Sequence, residues 1–124
     1  MRAILFALCL AVLPAAAGAS DDARDFVAGF EDLPLMPGLT QVADAGTVFD
    51  SPSGRIVEAF ANGPVAVEDV YTFYARTLPQ LGWDMLSERR YRREGERLDL
   101  EIKPASADGG GATVRFYLAP HEDP

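Results

Sequence analysis

The sequence predicts a small α+β domain in which one helix packs on one face of an antiparallel sheet of about five strands, in the order ββ-α-βββ. Three observations lead to this prediction. Only residues 67–81 repeat apolar side chains at the 3.6-residue period of a helix. Strand-like segments flank that stretch on both sides. Short segments rich in turn-forming residues join several of those strands, so neighbouring strands form hairpins and run antiparallel.

Residues 1–19 have the three-part layout of a secretory signal peptide. One arginine lies near the start, residues 4–13 are an unbroken apolar run, and residues 17–19 are a small-residue cleavage site. The apolar run is about ten residues, whereas a membrane-spanning helix needs roughly 20, so a cleaved signal is favoured over an anchor. Cys9 lies inside the run rather than at the cleavage point, which argues against lipid modification. We therefore expect a periplasmic or secreted protein that begins at Ser20, with no stable membrane insertion.

Cleavage would leave one domain of ordinary size, made of an acidic leader (20–32), the α+β domain (33–119) and a tail (120–124). The single cysteine is lost with the signal, which excludes disulfides, thiolate catalysis and cysteine-ligated metals in the mature domain. The formal net charge of −8 opposes binding to nucleic acid or anionic lipid and favours solubility. The charge is uneven, because residues 20–50 hold seven acids and one base.

The segment before the helix is predicted to be an extended strip followed by a hairpin. Two prolines and a glycine in residues 33–39 exclude a regular helix, and Pro37-Gly38 suits the centre of a type II turn. Residues 40–49 and 55–61 are predicted strands. The intervening residues 50–54 combine aspartate, serine, proline and glycine, so we expect a five-residue hairpin loop.

The helix is predicted over residues 67–81. Pro79 removes an N–H and clashes with the carbonyl four residues earlier, so the helix should kink or end near Leu78. Gly82 is the expected C-terminal stop. The predicted buried stripe is Val67, Val70, Phe73, Tyr74, Leu78 and Leu81.

Residues 83–93 and 96–103 are predicted to form a second hairpin, and residues 113–118 the last strand. A two-residue turn at Glu94-Gly95 would place Tyr91 opposite Leu98 and Arg90 opposite Asp99. The second arm alternates apolar and charged residues, so one face of the sheet should be wet. We expect the strip 33–39 to fold across that open face and cover it; uncovered, the face would be a binding surface.

No catalytic, cofactor or metal-binding signature is present. His121, the only histidine, lies near the end of the chain without an orienting partner, and Ser51 and Ser53 are not in a G-x-S-x-G motif. No segment matches a calcium-binding loop. We therefore expect a non-enzymatic protein without cofactor or metal. The enzymatic alternative is a carboxylate-dependent hydrolase that uses Glu58 with Asp50, which requires Glu58 to face inward.

The strongest local feature is a group of arginines in residues 89–97. It is open to two interpretations: a site for an anion or an acidic partner, or a solvated hairpin crossed by ion pairs with its many acids. Arg115 and Tyr117 share one face of the last strand and would extend such a surface. The candidate interaction surface is Arg89, Arg90, Arg92, Arg93, Arg97, Arg115 and Tyr117.

The function that these features favour is an exported domain that binds another envelope protein, as a monomer or weak oligomer. The alternative to protein binding and to hydrolysis is a small-ligand or lipid binder, with an apolar cavity between helix and sheet below Phe73. Three features discriminate among these functions. An inward Glu58 would favour hydrolysis, an exposed Tyr117 would favour protein binding, and an apolar cavity below Phe73 would favour ligand binding.

Three stretches resemble a family of small secreted proteins of Gram-negative bacteria. They carry residues 35–39 (LMPGL), residues 49–52 with 54–57 (FDSP and GRIV), and residues 73–74 with 78–83 (FY and LPQLGW), and the resemblance spans about residues 33–118. It implies an envelope location and a helix packed on a sheet. It implies no activity and no functional residue.

Overall fold

The computed structural model describes residues 25–121. The predicted signal peptide, the start of the leader and the end of the tail lie outside the described residues. The elements are β1 (Thr40–Gln41), β2 (Thr47–Ser51), β3 (Gly54–Gly63), the helix α1 (Val67–Thr77) with a 3₁₀ turn (Leu78–Leu81), β4 (Asp84–Ser87), β5 (Arg90–Arg93), β6 (Glu96–Pro104) and β7 (Ala112–Pro120).

The strands form one antiparallel sheet in the order β1–β3–β7–β6–β5–β4, and β2 pairs with β3 beside β1. The predicted α+β class, with one helix on an antiparallel sheet, is confirmed for the described residues. The predicted count of about five strands and the order ββ-α-βββ were wrong. The described residues form seven strands, because two of the predicted strands are each broken in the middle.

The predicted strand 40–49 breaks where the chain loops out of the sheet. β1 pairs Gln41 with Ala61, and β2 resumes with Thr47 opposite Glu58. Residues 42–46 therefore lie opposite only two residues of β3, so the extra residues cannot stay in the ladder. Asp44 has a φ of 64°, which a regular strand does not accommodate.

The predicted strand 83–93 breaks because it folds back on itself. β4 pairs with β5, with Asp84 opposite Arg92 and Ser87 opposite Arg90. The turn between them is fastened by the Arg89 N–H, which donates to Ser87 Oγ at 3.2 Å. β4 thereby becomes the edge strand of the sheet at the end opposite to β1 and β2.

The first hairpin is tighter than the predicted five-residue loop. Ser51 pairs with Gly54 in register, so only Pro52 and Ser53 connect β2 to β3. Ser51 Oγ donates to the Gly54 carbonyl at 2.6 Å and closes the turn. Asp50, predicted to be in the loop, is a strand residue.

The hairpin of β5 and β6 has the predicted register. Tyr91 lies opposite Leu98, and Arg90 lies opposite Asp99. The two turn residues, at 94 and 95, have φ values of 49° and 79°. Two consecutive positive φ angles are those of a type I′ turn, whose twist matches the flanking strands.

The helix ends as predicted. Pro79 lies at the start of the 3₁₀ turn, where its missing N–H needs no partner, and Gly82 has a φ of 92°. The Gly82 N–H donates to the Pro79 carbonyl and the Trp83 N–H to the Leu78 carbonyl, both at 3.1 Å. These bonds satisfy carbonyls that a helix end leaves without partners.

The core lies on the helix side of the sheet. Its centre is a group of fully buried rings on three elements, Tyr74 of α1, Tyr91 of β5 and Phe116 of β7. The Tyr74 and Phe116 rings meet edge to face, with centroids 5.5 Å apart, which is a favoured aromatic geometry.

Residues 25–39 complete the core on the same side as α1. Tyr74 Oη donates to the Pro34 carbonyl at 2.9 Å and accepts from the Met36 N–H at 3.2 Å. The expectation that the strip 33–39 covers the open face was therefore wrong, since the strip packs beside the helix. The side chains that this segment contributes to the core include Val27, Phe30 and Leu33, two of them from the predicted leader.

Candidate functional site

The open face of the sheet carries most of the predicted interaction surface. By strand alternation Arg90 and Arg92 of β5, Arg97 of β6, and Arg115 and Tyr117 of β7 share this face. Tyr117, Asp99 and Arg90 follow one another across the three strands in register. Arg89 lies in the turn between β4 and β5, and Arg93 lies on the helix side of the sheet.

Ion pairs fix several of the open-face arginines. Asp99 accepts from Arg90 Nε at 2.8 Å with one oxygen and from Arg97 Nε at 3.1 Å with the other. Arg115 bonds Glu58 at 2.6 Å and lies 4.7 Å above the centre of the Tyr117 ring. An incoming anion would therefore compete with carboxylates that are already in place.

Arg93 fastens the leader to the end of the helix. Its guanidinium donates to both carboxylate oxygens of Asp32, at 2.8 and 3.2 Å, and to the Leu81 carbonyl at 2.8 Å. It also stacks 4.3 Å above the Trp83 ring. The hydrogen bond from Arg93 is the largest cause of a lowered pKa at Asp32, and it outweighs the partial burial of the carboxyl group.

We expect replacement of Asp32 by Asn to destabilise the fold by about 0.5 kcal/mol at pH 7, a small effect because the side chain is 48% exposed. Because folding lowers the Asp32 pKa, its stabilisation is complete above the unfolded pKa of about 3.9 and disappears as the pH falls through the folded value. Urea midpoints of wild type and variant from pH 7 to pH 2 should therefore converge at acid pH. Asp44→Asn is the matched control, and a difference that persists unchanged at pH 2 would contradict the assignment.

The carboxyl pair that hydrolysis would need is not assembled. Glu58 lies on the open face beside Thr47 in register, whereas Asp50 lies opposite Arg55 on the helix side of the same hairpin. Residues 25–121 contain no group of three or more carboxylate, histidine or cysteine side chains placed to hold a metal ion. The ring of Phe73, below which the ligand-binding alternative needs a cavity, meets the ring of the neighbouring Tyr74 edge to face, with centroids 4.9 Å apart.

The exposed apolar side chains lie at the two edges of the sheet. Met85 and Leu86 belong to β4 at one edge. The other large exposed apolar side chains of the described residues lie around β1 and β2 at the opposite edge, and they are Phe26, Val42, Val48 and Phe49. Exposed apolar side chains that gather in one region commonly mark a binding site.

A mostly apolar groove opens where β1 and β2 separate, and we call it the edge groove. Its volume is about 390 Å³. Residues 58–60 of β3 lie at its base, and Gln41 fixes one wall by accepting from the Ala28 N–H at 2.6 Å and donating to the Phe26 carbonyl at 3.4 Å. Further lining side chains are Val42, Ala43, Asp44, Thr47 and Val48.

The chain segment that supplies most of the edge-groove lining is acidic. Residues 25–54 contain five acids and neither lysine nor arginine. Asp32 is paired with Arg93, but Asp44 and Asp50 make no ion pair with another described residue. The guanidinium of Arg55, opposite Asp50 in register, is bonded to Glu96 at 3.0 Å.

Comparison with models of known protein families, with curated proteins and with solved structures finds no match to this chain. Within residues 25–121 no helix has the length and apolar character needed to cross a membrane.

Proposed function

We propose that this chain is an exported, non-enzymatic domain that binds another protein of the cell envelope at the edge groove. The observation that carries the proposal is that two exposed apolar side chains, Val42 and Val48, line a groove at one edge of the sheet, with the exposed Phe49 on the same edge strand as Val48. Exposed apolar patches beside grooves are typical of protein-binding sites. The placement of Glu58 and Asp50 on opposite faces supports binding rather than hydrolysis.

The edge strand β2 has little protection against pairing with another chain. Edge strands commonly carry lysine or proline, which discourage such contact. β2 contains neither, its one charged residue is Asp50, and it exposes Val48 and Phe49 to 61% and 50%. A partner that covers these side chains would remove apolar surface from water, a gain of about 25 cal/mol per Å² before the costs of association.

Export is the second part of the proposal, and residues 1–19 support it by their signal-peptide layout. The expected result is a protein in the envelope fraction whose intact mass begins at Ser20. A mass that retains residues 1–19, in a protein found only in the cytoplasm, would overturn this part and leave the binding proposal to be tested on its own.

The binding proposal is tested by photo-crosslinking in cells of the native organism. A photoreactive residue at Ala43, in the groove, should give a specific crosslinked protein, whereas one at the exposed Arg76 of α1 should not. The crosslink should disappear in the double variant Val42→Ser/Val48→Ser. It should persist in the matched control Met85→Ser/Leu86→Ser at the other edge.

The open face is the second candidate surface, favoured by the contact of Arg115 with the Tyr117 ring. Arginine and tyrosine are enriched where interfaces are tightest. The variant Arg97→Ser/Tyr117→Ser tests it in the same experiment. Loss of the crosslink from Ala43 in this variant, with retention in Val42→Ser/Val48→Ser, would overturn the edge groove and favour the open face.

A further inference from the structure

We infer that the edge groove receives an extended, basic segment of the partner protein, which adds as a new strand beside β2. This inference rests on the proposed function and specifies the class of partner. It joins three features of one edge: outward backbone groups on β2, an apolar groove beside them, and a chain segment, residues 25–54, that supplies most of the groove lining and contains five acids and neither lysine nor arginine. Strand addition to an exposed sheet edge is a recurrent mode of peptide recognition.

The backbone of β2 presents hydrogen-bonding groups to the outside. The Val42 N–H donates to the Phe60 carbonyl at 2.9 Å, so the backbone groups of Phe60 point toward this edge. Backbone direction alternates along a strand, so Glu58 and Ile56 point the same way. Their partners in register, Thr47 and Phe49, are used in pairing with β3.

The remaining residues of β2 are therefore the ones that an added strand would meet. The N–H and C=O groups of Val48 and Asp50 point away from β3 and offer up to four hydrogen bonds to an incoming chain. The side chains of Val48 and Phe49 lie on opposite faces of the strand, and both are at least half exposed. Neighbouring side chains of an added strand would therefore cover apolar surface on both faces.

Charge determines which kind of segment fits. Asp44 and Asp50 lie near the two ends of β2 and make no ion pair with a described residue. A segment with lysine or arginine at both ends and alternating apolar residues between them would place opposite charges near these carboxylates. A second copy of the chain lacks such a segment at this edge and would bring together two molecules of net charge −8.

The probe is the capped peptide Lys-Val-Thr-Val-Thr-Val-Lys, and its control is the same peptide with glutamate in place of lysine. Both are titrated into the ¹⁵N-labelled protein while amide shifts and hydrogen exchange are recorded. The basic peptide should shift the amides of β2 and slow exchange at Val48 and Asp50. The acidic peptide should bind at least about tenfold more weakly, which corresponds to 1.4 kcal/mol.

Two variants distinguish strand addition from attraction of the peptide without strand pairing. Val48→Pro removes an outward N–H without removing a β2–β3 hydrogen bond. It should therefore keep the fold and weaken the binding of the basic peptide at least about tenfold. Val48→Thr keeps that N–H and should weaken the binding of the basic peptide less than Val48→Pro does. If Val48→Pro fails to fold by circular dichroism, Asp44→Asn/Asp50→Asn provides the second test, because it should remove the preference for the basic peptide.

The inference is overturned if the two peptides bind equally, if the shifts map to β4, or if the slowed exchange at Val48 accompanies self-association in sedimentation. These results leave the proposed function intact when the crosslink from Ala43 is still lost in Val42→Ser/Val48→Ser. In that case the partner contacts the groove without adding a strand. Absence of both the crosslink and peptide binding would overturn both proposals.

Discussion

Replacement of Phe116 by Ala is expected to destabilise the protein by about 4 kcal/mol, the largest effect among the substitutions considered. Phe116 is fully buried on β7, which pairs with β3 on one side and β6 on the other. Its ring meets Tyr74 of α1 at 5.5 Å and Phe30 of the N-terminal segment at 6.5 Å. The substitution therefore removes a ring through which the sheet contacts both α1 and the N-terminal segment.

The measurement is urea unfolding of the purified protein, followed by circular dichroism and tryptophan fluorescence. Tyr117→Ala is the matched control, because Tyr117 is the next residue on β7 but lies on the open face, and its replacement should cost about 1 kcal/mol. A loss below about 1.5 kcal/mol for Phe116→Ala, or a larger loss for the control, would contradict the assignment of the core to the helix side.

The parts of the fold that were predicted correctly depend on local chemistry. Pro79 and Gly82 determine the end of the helix through a missing N–H and a left-handed backbone, neither of which needs a distant partner. The type I′ turn at Glu94-Gly95 likewise follows from two adjacent residues, and it determines the register of Arg90 and Asp99.

The parts that were predicted wrongly depend on distant partners. The turn between β4 and β5 contains no glycine or proline, and Ser87 Oγ closes it, so residues 83–93 were predicted as one uninterrupted strand. The strip 33–39 was placed on the wrong face because the hydrogen bonds that hold it beside the helix are to Tyr74, about 40 residues away in the chain.

The candidate site likewise has some features that are visible in the sequence and others that depend on distant partners. The acidic character of the chain before Arg55 is visible in the sequence. The edge groove is not, because it arises where β1 and β2 pair with β3 in two different registers and residues 42–46 loop out between them. The clustering of the arginines is also visible in the sequence. Their pairing with Asp99 and Asp32 depends on the sheet and the leader. Strand alternation places Arg93 on the face opposite to Arg90 and Arg92.

Replacement of Gly63 by Ala is expected to destabilise the protein by about 3 kcal/mol, the upper part of the usual range for overpacking. Gly63 ends β3 where the Pro37-Gly38 turn crosses it. A Cβ at this position would overlap the Gly38 carbonyl oxygen and lie 2.9 Å from its carbon and 3.1 Å from Leu39 Cα. The obstacle is backbone, so it cannot rotate away as a side chain would.

The turn at Gly38 must therefore move, and β1 moves with it because Thr40 pairs with Asn62 beside Gly63. Gly95→Ala is the matched control. It introduces a Cβ with no atom within 4 Å at a φ of 79°, so it should cost about 1 kcal/mol from backbone strain alone. Urea unfolding measures both variants, and hydrogen exchange should show faster exchange at Thr40 and Val42 in Gly63→Ala only. Equal losses for the two variants would mean that the close approach of β3 to the turn contributes nothing beyond the general cost of replacing a glycine.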